Sequence, residues 1–131
     1  MDMKKTNYNI LSLRTSRGVE AIDINTIMRI EAIGNYSKIY FGEPDGFPAA
    51  PAKTLVTAKI LQWFENMLCT LEAPGQAGTF VRVHRTHLVN KKFIQYYIKG
   101  NIGKVQLVNG ERIDVSRRKK GIFLQYWNKA A

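Results

Sequence analysis

The dipeptide Asn109-Gly110 constrains this chain more than any other pair of residues. It lies between two short strand-like runs, 104–108 and 112–115, and its chemistry suits the tight turn of an antiparallel hairpin. The same punctuation recurs along the chain. Residues 27–33 and 36–41, rich in Ile, Tyr and Phe, flank Gly34-Asn35, where both residues tolerate positive φ. Residues 9–14 and 19–23 meet at Ser16-Arg17-Gly18, with Ile10, Leu11, Leu13, Val19, Ala21 and Ile22 as their apolar side. Further strands are expected over 79–83 and 93–99, and Gly100-Asn101 turns the second of these into 104–108.

Two segments read as helices. In 57–68, Thr57 is the expected N-cap, and Ile60, Leu61, Phe64, Met67 and Leu68 share one apolar face that should cover a sheet. Residues 116–127 read as a capped basic helix docked through Ile122, Phe123, Tyr126 and Trp127, with Gly121 weakening it by about 1 kcal/mol relative to Ala. Residues 42–48, with two Gly and two Pro, must form a loop, and 73–78 form a shorter one. The expected fold class is mostly β, with small packed antiparallel sheets and one or two α-helices.

No linker interrupts the 131 residues, so 1–131 reads as a single domain, long enough to bury a core without disulfides or metal. An apolar fraction of 45% is ordinary for a folded protein. Cys69, close to Trp63, Phe64 and Leu68, reads as a buried core thiol. No apolar run reaches membrane-spanning length and the first ten residues lack the core of a signal peptide, so a cytoplasmic protein with no membrane partner is expected.

The formal net charge is +10, and its placement says more than its size. Residues 1–52 carry six basic and six acidic groups, whereas 79–131 carry twelve basic groups against Glu111 and Asp114 alone. A solvated surface mixes signs as the first part does, so the one-sided excess points to a polyanionic partner.

Much of that charge gathers in FVRVHRTHLVN, residues 80–90. Phe80, Val81, Val83, Leu88 and Val89 can hold this segment to a core while Arg82, His84, Arg85 and His87 face a partner. The two histidines have a spacing that could serve a metal, but zinc needs three or four ligands, the chain has no second Cys and nearby acids are few. His84 therefore reads as a hydrogen-bonded structural group, and no metal is expected. Ser12, Ser16, Ser37 and Ser116 lie in no nucleophile-elbow context, and no Gly-rich phosphate loop precedes a helix. Glu111 and Asp114 flank a hairpin strand beside Arg112 and Arg117, where ion pairing explains them more simply than acid–base work. Neither enzyme activity nor a cofactor is expected. Nucleic-acid binding fits better. Ser116-Arg117-Arg118-Lys119-Lys120 opens a helix whose first N–H groups attract phosphate, and Asn35, Tyr36, Ser37 and Lys38 form a second polar group at a hairpin tip.

Three stretches, IMRIEAIGNYSKIYF, FVRVHRTHLVNKKFI and LVNGERIDVSRRKK, together resemble the LytTR DNA-binding domain of bacterial transcription regulators. The resemblance covers nearly the whole chain and implies a mostly β domain whose loops, rather than a recognition helix, enter successive major grooves. It implies base contacts from the tip Asn35, Tyr36, Ser37 and Lys38, with Ser37 foremost, and from Arg85 and Arg117. Thr86, Asn90, Lys91, Arg118 and Lys119 would meet phosphates. The implied partner is double-stranded DNA with adjacent half-sites, bound by two copies as a homodimer on DNA. Family members usually also carry a phosphoacceptor receiver domain or membrane segments. None is read here, so a separate sensor or regulator protein is expected. The stretch 42–53, GEPDGFPAAPAK, departs from the family pattern. A competing reading is a non-enzymatic interaction module whose basic face binds an acidic protein, RNA or a membrane surface, with Tyr96, Tyr97 and Trp127 as its exposed aromatics.

Overall fold

The turn chemistry of the sequence becomes a stack of antiparallel hairpins in the computed structural model of the chain, which describes residues 10–43, 53–70 and 79–128. The loops expected over 42–48 and 73–78 fall outside the described residues, apart from Gly42 and Glu43. Strands β1 (Ile10–Thr15) and β2 (Gly18–Asp23) pair alone. A five-stranded sheet follows from β3 (Ile27–Ile33), β4 (Tyr36–Phe41), β5 (Thr54–Thr57), β6 (Phe80–His84) and β7 (His87–Asn90), in the order β5-β4-β3-β7-β6. Strands β8 (Ile94–Ile98), β9 (Gly103–Leu107) and β10 (Arg112–Val115) form a third sheet in the order β10-β9-β8. Two helices, α1 (Leu61–Thr70) and α2 (Arg117–Asn128), complete the described chain. The class is the one expected: mostly β, in small antiparallel sheets.

Burial shows why the five-stranded sheet is the middle layer. Ile27, Met28, Arg29 and Ile30 are buried in succession, which requires cover on both faces of β3. Ile30 and Leu88 join a core with Leu11, Leu13, Leu61, Phe64 and Leu68, from the first hairpin and α1. Met28 and Val89 join a second core with Phe93 from the short helical turn before β8, Val105 and Leu107 from the third sheet, and Phe123 from α2. Full burial of each such side chain contributes about 1.5–3 kcal/mol, and all of those named are under a tenth exposed.

Several local expectations give way to this packing. The period of two in β2 lets only Glu20 and Ile22 share a face with Leu13 and Leu11, so Val19 and Ala21 point outward, Val19 at 68% exposure. Thr57 is not a helix cap. It ends β5, paired with Ser37, and its Oγ1 accepts the Lys59 N–H at 3.3 Å in the turn that follows. The helix starts at Leu61, and Ile60, which precedes it, is exposed. Cys69 is exposed as well, since it follows Leu68 by one residue and the helical period carries it off the buried face.

The second helix is capped as expected, with Ser116 Oγ accepting the Lys119 N–H at 3.2 Å. It docks through Phe123, which is fully buried and stacks on Trp127 with ring centroids 6.0 Å apart, whereas Ile122 faces solvent. Phe123→Ala should therefore cost about 3–5 kcal/mol in urea unfolding, and Ile122→Ala should stay within about 0.5 kcal/mol of the parent. Equal costs for the two would contradict this docking.

Candidate nucleic-acid interface

Three loops meet at one end of the middle sheet because two backbone hydrogen bonds tie them there. The β3–β4 turn is closed by Gly34 at φ +60°, while Asn35 keeps a negative φ, so the turn uses one left-handed residue where the sequence allowed two. Beside this turn runs β7, with Glu31 opposite His87, and the Ala32 N–H donates to the Thr86 carbonyl at 2.9 Å. The Arg85-Thr86 turn thus lies next to the β3–β4 tip. At the far edge, the Ser116 N–H donates to the Val83 carbonyl at 2.8 Å, which brings the start of α2 to the end of β6. Arg85, Arg118 and Lys119 consequently line one open groove of about 470 Å³.

Most of the residues singled out from sequence stand at this end. Asn35, Tyr36, Arg85, Arg117 and Arg118 are exposed, while Lys38, Thr86 and Lys119 are half-buried. The Lys38 ammonium lies 5.2 Å from the centre of the Tyr40 ring. Thr86 also serves the turn itself, since its N–H donates to His84 Nδ1 at 3.2 Å and its hydroxyl lies 2.9 Å from the same nitrogen.

Ser37 and Asn90 are corrections, because neither side chain reaches the surface. Both are 0% exposed. Strand alternation turns Tyr36 and Lys38 outward and so turns Ser37 inward, beside Ile39. Asn90 is a structural clasp: its Nδ2 donates to the Ile27 carbonyl at 2.9 Å and its Oδ1 accepts the Lys92 N–H at 2.9 Å. Asn90 ends β7 and Lys91 follows it, so both stand away from the turn, Asn90 roughly 13 Å along the strand from Thr86 at about 3.3 Å per residue.

Sequence reasoning missed two structural arginines. Arg29 is 7% exposed and makes two hydrogen bonds to Glu111, Nε to Oε1 at 3.2 Å and Nη2 to Oε2 at 3.1 Å. Its guanidinium carbon lies 3.6 Å from the centre of the Tyr40 ring, and the Tyr40 hydroxyl donates to Glu31 at 2.9 Å. Burial alone would disfavour both charges of the Arg29–Glu111 pair. Hydrogen bonding and charge attraction together outweigh it, so the pKa of Arg29 is raised and that of Glu111 lowered. Glu111 and Asp114 do form ion pairs, but with Arg29 and Lys104 rather than with Arg112 and Arg117.

Arg82 is the second; expected from sequence to face a partner, it is directed at the protein instead. Its Nη1 pairs with Glu65 Oε1 at 2.8 Å, and its Nε and Nη2 donate to the carbonyls of His84 and Arg85. His84 and His87 stand across the turn from each other with ring centroids 5.7 Å apart, so a β-turn rather than a helical face sets their spacing. Of the aromatics expected to be exposed, Tyr97 and Trp127 flank the buried Phe123, and Tyr96 remains exposed.

The family model of the LytTr DNA-binding domain matches residues 17–128. Among solved structures, the chain is similar to the LytTr DNA-binding domain from a Bacillus cereus protein described as a methyl-accepting/DNA response regulator. The two are 24% identical with a TM-score of 0.66, over 89% of this chain and 94% of that one, a likeness in fold. No curated protein matches the chain. Among the described residues no helix is long and apolar enough to cross a membrane.

His87 makes stability depend on pH. Burial lowers its pKa below the ordinary 6.5, Arg29 and His84 act in the same direction, and Glu31 opposes them. The unfolded chain therefore binds this proton more readily. The stability linked to His87 is complete above pH 6.5 and is lost as pH falls from 6.5 through the lowered value. Glu111 and Asp114, also lowered, act in more acidic windows, below their ordinary values of 4.5 and 3.8. Urea midpoints measured from about pH 7 to about pH 5 should fall for the parent and stay flatter for His87→Gln; the same slope in both would assign the acid sensitivity elsewhere.

Proposed function

The chain belongs to the LytTR DNA-binding domain family, and from that premise we propose that it binds double-stranded DNA sequence-specifically as a bacterial transcription regulator, its loops entering major grooves. The observation that carries this reading is the joining of three loops at one sheet end through the Ala32–Thr86 and Ser116–Val83 hydrogen bonds. Arg85 and Arg117 are exposed there and long enough to reach base edges, where an arginine fork matches guanine O6 and N7. The tip contributes Asn35, Tyr36 and Lys38, with Ser37 supporting it from inside. Arg118 and Lys119 meet phosphates close to the N-terminus of α2, whose N–H groups favour anions. Thr86, whose N–H and hydroxyl both engage His84, supports the turn from within.

The protein acts in the cytoplasm without catalysis, as two copies on adjacent half-sites that form a homodimer on DNA. A separate sensor or regulator protein supplies the signal. The interaction-module reading loses much of its support, because Tyr97 and Trp127 are engaged in packing around Phe123.

Arg85→Ala and Arg117→Ala should each cost about 1–3 kcal/mol on the preferred site and relax selection at one base pair. Arg118→Ala or Lys119→Ala should weaken all sequences alike and reduce the salt slope by about 1. For the parent, some six neutralised phosphates imply a log–log salt slope of about −5. Selection from a randomised duplex pool measures the first effect and binding titrations over a range of salt measure the other two; equal retention of every sequence by the parent would overturn the proposal.

A further inference from the structure

Arg82 lies in the same groove as Arg85, Arg118 and Lys119, yet its guanidinium is directed at the protein. Its side chain is 16% exposed. The fork holds three groups at once: the His84 carbonyl from Nε at 3.1 Å, the Arg85 carbonyl from Nη2, and Glu65 of α1 from Nη1 at 2.8 Å. The register of β6 against β7 shifts between Arg82 and His84, so the ladder is irregular just where the turn begins. Arg85 itself sits in the turn, beyond the paired strand residues. Arg82 supplies donors to the backbone there, and Glu65 fixes the fork from a different element.

We propose that Arg82, locked by Glu65, is a positioning residue for the reading turn: its grip on the His84 and Arg85 carbonyls sets the direction in which the Arg85 side chain leaves the backbone. This rests on Arg85 being a base reader. The grip requires a planar guanidinium, because a lysine ammonium at the same place carries the charge but cannot present three nitrogens in a fixed fork. Arg82 is therefore distinguishable from a phosphate-binding cation, whose role a lysine would largely preserve.

The test compares the parent with Arg82→Lys, Glu65→Gln, Arg85→Ala and Arg82→Lys/Arg85→Ala in selection from a randomised duplex pool. Binding to a duplex lacking the selected site and thermal unfolding are measured alongside. Arg82→Lys should lose about three- to tenfold of the discrimination at the base pair that Arg85→Ala relaxes, with little change on the non-selected duplex. Added to Arg85→Ala it should cause no further loss at that base pair, as two groups acting in series require. Glu65→Gln should relax the same base pair while binding the non-selected duplex more tightly, since it removes a negative charge from the groove. Glu65→Gln also keeps the test open if Arg82→Lys folds poorly.

The ¹⁵N order parameters of Arg85 and Thr86 in the free protein give a readout independent of DNA. They should drop in Arg82→Lys from rigid values of about 0.85 toward about 0.6. Unchanged discrimination together with unchanged order parameters overturns the positioning role, as does a loss spread evenly over all sequences. If the parent selects no sequence, the DNA-reading proposal fails on its own, and the order parameters alone decide whether Arg82 positions the turn.

Discussion

The pairing of β3 with β7 is the constraint on which the rest of the structure depends. Each strand belongs to its own local hairpin, β3 with β4 and β7 with β6, and the turns of those hairpins could form independently. Joining the hairpins requires a long-range ladder that aligns Arg29 with Val89 and Glu31 with His87, at the entropic cost of closing the intervening chain. That cost is offset by burial on both faces: Ile30 and Leu88 enter one core, and Met28 and Val89 the other. Asn90 adds a polar clasp, binding the Ile27 carbonyl from fully inside the protein. A slip by one residue would exchange the two cores and place Asn90 against the wrong carbonyl, so the register is strongly specified. Once it is set, the β3–β4 tip and the Arg85-Thr86 turn have only one relative position.

Burial, rather than residue type, separates the arginines into structural and exposed groups. Arg29 and Arg85 have the same side chain, but Arg29 lies between the Tyr40 ring and the Glu111 carboxylate, within the layer that joins the middle and third sheets. Leaving water costs a guanidinium several kcal/mol, and an uncompensated one would be strongly destabilising. Two hydrogen bonds to Glu111, the ring face and Glu31 supply that compensation. Arg82 is intermediate: it lies in the groove but is tied to Glu65 and to two carbonyls. The basic excess that first suggested a polyanionic partner thus includes cations that hold the protein together, whereas Arg85, Arg117 and Arg118 stay exposed at the end of the middle sheet where the loops meet.

Where an element is set by local chemistry, the sequence was legible. Gly34-Asn35 and Asn109-Gly110 turn where expected, Ser116 caps α2, and the exposed Arg85, Arg117 and Arg118 stand out from residue type and placement. Legibility ends where long-range pairing decides. Thr57 has the chemistry of a helix cap, but pairing with Ser37 makes it the end of a strand. Ser37 looks like a tip residue until the sheet selects which of Ser37 and Lys38 turns inward. Asn90 follows an apolar pair and resembles a surface anchor, yet its partner is the carbonyl of Ile27 on another strand. No local pattern shows that Arg82 would reach both the next turn and Glu65 on a preceding helix.

A reading surface built from loops must be rigid without the internal hydrogen bonds of a recognition helix. Here the rigidity is borrowed from the middle sheet. Thr86 shows how: its carbonyl is held by Ala32, its N–H by His84 and its hydroxyl by the same imidazole, so three polar groups of one turn residue are engaged within the protein. The Arg85 carbonyl is held by Arg82. Ordering a loop at an interface costs affinity, and each mobile long side chain costs roughly 0.5–1.5 kcal/mol more. With the backbone fixed beforehand, only the outer rotors of Arg85 are left to order on contact with a base. If Arg85 reads a base as proposed, the buried groups around the turn govern recognition as directly as the exposed arginine does, by deciding how much of its interaction with a base survives the cost of being placed.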